Sequence, residues 1–394
     1  MRNKTKIILA MVGVVLVALV VGNWYFGGHK SFSSYYEKPP QDSEARKAWF
    51  SENIDNENHE KFVSIDHKLP SWKELNKMKQ SLSAERKYPD FIKAIQTYGT
   101  LPNLVEVLYF GDVLEDLGVN TQFVHANYWF KEGDFELWYL DYNKPEDLSQ
   151  DEAKRALVYN ILLAKQQGLA VVLFPDYFQL EDGGMTNLNI SDDLEGRLET
   201  IALDIARIAE EYNVEYLVPS NQIEMILDTN DYRVEESKRR TNAFYASIVP
   251  KIRQIYSGKI MYKMGGFGDW SNYDGISLDG ADIFGFTGCY NRNRDDVDFV
   301  ASDIKMAAVQ ADKLSRKYNI PWINAEFVVT DEESAVDNRK IPQVVPIEDY
   351  YKAGLDAFEI YGKNAVGFTV HSLLGSGKIY GTKAMLLVKE FFNN

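Results

Sequence analysis

The residues best suited to chemistry stand in three short stretches. In "EYLVPSNQIEMIL", Glu215–Leu227, an apolar run ends at Pro219, and Asn221, Gln222 and Glu224 follow where a strand gives way to a loop. In "PWINAEFVV", Glu326 sits inside an otherwise apolar run, where an unpaired charge is costly enough that it must be paired or functional. "GADIFGFTGCY" ends in Cys289 and Tyr290, and Tyr290 is placed to donate a hydrogen bond that keeps Glu326 ionised. Other apolar runs end in Gln96 and Tyr98, His125 and Asn127, Asp176 and Tyr177, Lys263, and His371. Carboxylates, amides and aromatics in this mixture are groups that hold and cleave sugars. Trp and Tyr faces stack on the C–H faces of pyranose rings, which makes Trp270, Tyr177, Tyr273, Trp322 and the "NYWF" run at 127–130 candidate platforms. Aromatics make up 13% of the chain, so many of these belong to the core.

Other chemistries lack their residues. Cys289 is the single cysteine, which excludes an intrachain disulfide, a thiolate zinc cage and a CxxC redox pair. No HExxH motif is present, so the two histidines His125 and His371 read as mouth residues that contact hydroxyls or are satisfied within the fold. "GSGK" at 375–378 lacks the spacing and terminal Ser/Thr of a P-loop, and "GGFGDW" at 265–270 is no dinucleotide fingerprint. The reading requires no metal or organic cofactor.

These residues need a scaffold, and the pattern from Tyr88 onward supplies one. Short apolar runs alternate with amphipathic stretches eight times, from "DFIKAIQTYG" through "VNTQFVHANYWF", "LAVVLFPDYF", "VEYLVPSN", "KIMYKMGG", "GADIFGFTGCY" and "IPWINAEFVV" to "AVGFTVHSLLG". Near-continuous apolar strands suit a sheet buried on both faces, and eight β/α units over about 300 residues predict an α/β fold, a (β/α)8 TIM barrel. The barrel is assigned to residues 88–394, after a polar spacer at 28–87 in which "SWKELNKMKQSLSAERK" predicts one exposed helix.

The formal charge of −15 gives a surface that repels nucleic acid and anionic lipid. At the other end of the chain, "MRNKTK" precedes an apolar run at 7–26, long enough to cross a hydrocarbon core of about 30 Å. The basic flank places the N-terminus in the cytoplasm, and Trp24 and Tyr25 suit the far interface. Residues 1–27 therefore predict a single-pass anchor in the cell membrane with the barrel outside the cytoplasm; a cleaved signal peptide, giving a secreted protein, is the alternative.

The order "PSNQ" after the fourth strand, "CY" after the sixth and "NAEF" after the seventh resembles the clan of retaining (β/α)8 glycoside hydrolases, relatives of β-mannanases, cellulases and endo-galactanases. The resemblance spans roughly residues 88–394 and implies cleavage of a β-linked poly- or oligosaccharide by a retaining double displacement, with a catalytically silent glycan-binding barrel as the alternative. It implies further that Asn221 binds a sugar 2-hydroxyl, Glu326 is the nucleophile and Tyr290 its partner. The clan's Asn-Glu pair is here Asn221-Gln222, and an amide delivers no proton near neutral pH. Three readings stay open: Glu224, two residues on along an extended segment, supplies the acid; Gln222 marks an enzyme working without a protein acid; or the barrel binds glycans without cleaving them. Candidate contacts to the sugar are Asn221, His125, Asn127, Asp176, Tyr177, His371 and Trp270.

Overall fold

The computed structural model describes residues 69–97, 99–131, 134–138, 149–179, 194–227, 234–265, 270–292, 295–330, 345–373 and 378–394. The chain divides into a unit Met1–His67 and a unit Lys68–Asn394. The expected anchor at 7–26, the spacer before residue 69 and Tyr98 lie outside the described residues. No described helix is long and apolar enough to cross a membrane.

Eight parallel strands close into a barrel: β1 (Ile92–Gln96), β2 (Thr121–Lys131), β4 (Ala170–Gln179), β5 (Tyr216–Leu217), β6 (Lys259–Met264), β7 (Ile283–Asn291), β8 (Trp322–Thr330) and β9 (Ala365–His371). Each pairs with its neighbours in this order, and β1 closes the ring by pairing with both β9 and β2. A ninth strand, β3 (Asp134–Trp138), returns antiparallel on β2 beyond the end of β1, an arm that the eightfold alternation does not announce.

The helices are α1 (Trp72–Ser81), α2 (Thr100–Tyr109), α3 (Gly111–Asp116), α4 (Gln150–Gln166), α5 (Leu194–Glu211), α6 (Ile223–Ile226), α7 (Val234–Arg253), α8 (Val297–Tyr318), α9 (Ile347–Tyr361) and α10 (Lys383–Asn393). Local sequence explains their ends and faces. Ser149 and Glu152 form a reciprocal capping box at the start of α4. In α5, Leu198, Ala202, Ile205 and Ala209 recur at three- and four-residue spacing and make its buried stripe. The amphipathic run at 101–118 breaks at Phe110 into α2 and α3, immediately before Gly111. On α1, Leu75 is fully buried, and the Trp72 indole N–H donates to Asp151 of α4 at 2.7 Å.

Inside the barrel, Ile92, Ala94, Phe123, Val172, Phe174, Met261 and Ile323 form an apolar floor. Between strands and helices lies a second layer, in which Phe327 and Phe368 meet Tyr351, Phe358 and Phe391. Along regular stretches of strand, alternation assigns a side chain to one layer or the other.

Candidate functional site

Above the apolar floor the inward positions turn polar. Two residues beyond Phe123 on β2 is His125, two beyond Phe174 on β4 is Asp176, and two beyond Met261 on β6 is Lys263. β8 breaks the rule usefully. Ile323 and Ala325 face the floor, so strict alternation would send Glu326 outward. The pairing with β7 instead slips between Phe286 and Thr287, and the pairing with β9 slips between Asn324 and Phe327. This bulge turns Glu326 inward and lets its backbone N–H donate to Asn324 Oδ1 at 3.2 Å.

These groups form one chain of contacts across the barrel. His125 Nδ1 meets Asp176 Oδ2 at 2.5 Å, Asn221 Nδ2 donates to Asp176 Oδ1, and Lys263 Nζ donates to Asn221 Oδ1 at 2.9 Å and to Glu326 Oε2 at 2.6 Å. Lys263 and Glu326 are both wholly buried, so the carboxylate expected as a nucleophile is one half of an internal ion pair. Lys263 is visible in sequence as the end of an apolar strand, but nothing in its neighbours along the chain announces that partner. At 4.0 Å from Glu326 Oε1, the exposed Cys289 Sγ lines the same mouth. His371 lies among these groups; burial, with Lys263 and His125 nearby, pushes its pKa down to about 3 against the pull of Glu326 and Asp176. Its imidazole is therefore neutral at physiological pH.

The corner at Gln222 folds differently from an extended segment. Gln222 is left-handed (φ 46°, ψ 48°), and Ile223–Ile226 is helical, so residues 222 and 224 do not share a face. The Gln222 side chain donates to Thr287 Oγ1 at 3.3 Å, and Thr287 is the register partner of Glu326. Glu224 is buried elsewhere. Its Oε1 accepts from Gly265 N at 2.6 Å, and its charge raises the pKa of Tyr245 and Tyr273, phenols already raised by burial. Tyr245 stacks on Tyr262, whose neighbours Met261 and Lys263 face inward, so Glu224 belongs to the layer between β6 and α7. The expectation that it enters the mouth is corrected by the turn.

Three further expected contacts are corrected, two of them by alternation along a strand. Tyr290 follows Cys289, which faces the mouth, so it points outward; its hydroxyl donates to Asp303 of α8 at 2.9 Å rather than to Glu326. Tyr177 follows the inward Asp176 and is fully buried beside Tyr128. Trp270 donates its indole N–H to Asp303 at 2.6 Å and packs on Tyr273 and Phe286, which holds it on the α8 side. Trp322 is also buried, bonded to Asp312 at 2.6 Å. What the structure brings together is Asn221, Gln222, His125, Asp176, Glu326 and His371, with Asn127 in register beside Asp176.

Solved structures share this arrangement of strands. A GH113 β-1,4-mannanase superposes with a TM-score of 0.56, at 16% identity over 78% of this chain and 100% of that one. The GH113 β-mannanase AaManA from Alicyclobacillus acidocaldarius, in complex with ManMIm, gives 0.57 at 14% identity, over 77% and 98% of the two chains. The fold is the (β/α)8 barrel that these glycoside hydrolases also adopt. An endo-β-1,4-mannanase from Thermotoga petrophila is similar at 0.50, with 14% identity over 78% and 77%. No protein-family model and no curated protein matches the chain. At these identities the likeness of this barrel to its neighbours is one of fold, and its chemistry must be argued from its own residues.

Proposed function

We propose that the chain is a glycan-binding barrel on the glycoside hydrolase fold that has lost hydrolysis by double displacement. The observation that carries this reading is the buried Lys263–Glu326 pair at 2.6 Å. Retaining hydrolysis needs a carboxylate free to attack and a carboxylic acid about 5 to 5.5 Å away to protonate the leaving oxygen. Here a buried ammonium binds Oε2 of the carboxylate that would attack and lowers its nucleophilicity, Gln222 stands at the acid corner, and Glu224 is turned into the helix layer. Binding needs neither group. Asp176, Asn221 and the neutral His371 supply donors and acceptors suited to hydroxyls, and the neighbours with mannanase activity support a carbohydrate as ligand.

A second reading, retaining hydrolysis of substrates with good leaving groups, is favoured by the bulge that keeps Glu326 pointing inward. Calorimetry with β-linked oligosaccharides, run beside assays on mannan and on dinitrophenyl β-glycosides, separates the two. Binding without turnover supports the first. Turnover of the aryl glycoside that Glu326→Gln abolishes by orders of magnitude installs the second. Residues 7–26 anchor the protein in the cell membrane with the barrel outside. Cell fractionation tests this: deleting residues 1–30 should move the protein from membrane to soluble fractions, and a full-length protein already soluble and still carrying those residues counts against an anchor.

A further inference from the structure

Around the ring, the polar layer carries a continuous chain of contacts on one side and a cluster of unpartnered amides on the other. Across β4, β6 and β8 every group in the chain from Asp176 to Glu326 has a protein partner. On β1 and β2, the amides of Gln96 and Asn127 are fully buried, and neither the oxygen nor the nitrogen of either has a hydrogen-bond partner among the described residues. Thr369 on β9, also fully buried, has an unpartnered Oγ1. All three face inward: Gln96 is two residues beyond Ala94 of the floor, Asn127 two beyond His125, and Thr369 alternates with the outward Phe368. The strands are contiguous, with Ala94 paired to Thr369 and Gln96 to His371. Buried polar atoms left without partners are costly, and five such atoms on one arc call for a ligand or ordered water to complete them.

We infer that the arc of Gln96, Asn127 and Thr369 is a subsite for the vicinal hydroxyls of an uncharged terminal sugar residue, a specificity that rests on the glycan-binding reading. An amide presents an acceptor oxygen and a donor nitrogen side by side, and two adjacent hydroxyls match both at once, one donating and one accepting. A carboxylate or phosphate only accepts and would leave Gln96 Oε1 and Asn127 Oδ1 as orphaned as before. Depth adds the second half of the inference. Gln96 stands one inward step above the floor, so the unit that reaches it has no room to continue beneath and must be a chain end.

The test uses the full chain and the variants Gln96→Leu and Asn127→Leu. Calorimetry with neutral β-linked manno-, cello- and galacto-trisaccharides is set beside trigalacturonate, and thermal melting is run without sugar. The wild type should bind at least one neutral trisaccharide and not trigalacturonate, and each variant should weaken that binding by at least about tenfold. Melting should stay unchanged or rise, because neither amide gives up a protein hydrogen bond. A melting temperature that drops by several degrees in both variants means the amides serve buried structural water, and the subsite falls while the glycan reading stands. Trisaccharide binding that survives both substitutions, or wild-type preference for trigalacturonate, likewise overturns the subsite alone. A wild type that binds no trisaccharide sinks both.

Discussion

Lys263 decides more than any other side chain. Removing one member of a buried ion pair leaves the other charged and unpaired, at a cost of about 3–5 kcal/mol, whereas neutralising both is often tolerated. Lys263→Met should therefore lower unfolding free energy in urea by that amount, and Lys263→Met with Glu326→Gln should recover most of it. Equal losses in the single and double variants would show that the two groups are not coupled. His371 gives a prediction in pH. Its folded pKa of about 3 lies below the unfolded value near 6.5, so the unfolded chain binds the extra proton between these values. Stability is then full above pH 6.5 and declines as pH falls toward 3. By pH 5 this histidine alone should remove about 2 kcal/mol, and His371→Gln should flatten that part of the urea-derived stability profile.

At the scale of elements, the site depends on β8 holding its bulge, and α9 holds β8 from outside. Gly354 of α9 lies where an added Cβ would overlap the Phe327 ring, one residue past Glu326. Gly354→Ala gains about 1 kcal/mol of helix propensity but forces Phe327 out of a close-packed layer, a penalty of about 1–3 kcal/mol. The net effect should be a lower melting temperature, with binding of the neutral trisaccharides weakened because the strand carrying Glu326 must shift. A raised melting temperature with unchanged binding would mean that the aromatic layer yields without moving the strand. The left-handed turn at Gln222 matters in the same way, since it sends residues 222 and 224 into different layers.

For the whole molecule, the unit Lys68–Asn394 contains the closed sheet and its core. Deleting residues 1–68 should leave the urea midpoint of the barrel unchanged. Extending the deletion through Ser81 removes the buried Leu75 and the Trp72–Asp151 bond, and should lower stability by at least about 2 kcal/mol. Equal midpoints for the two truncations would place α1 outside the cooperative unit.

The eight strands and their helices were legible in the chain because a strand buried on both faces must be apolar almost throughout, and because caps and three- to four-residue stripes mark helices locally. Glu326 and His125 were legible for a related reason: a polar residue inside an apolar run is expensive and so stands out. The antiparallel arm β3 was not, since its pairing with β2 is a contact between strands rather than a property of either. Tyr290 and Tyr177 stand at strand ends, but alternation gives each strand end two faces, and only the closed barrel settles which is inside; Trp270 is drawn off by its bond to Asp303, a tertiary contact. The same holds for Glu224, whose direction was decided by a single left-handed residue before it, and for the Lys263–Glu326 pair. Those residues are 63 positions apart along the chain and 2.6 Å apart in space, a distance that the curvature of the barrel sets and no local pattern encodes.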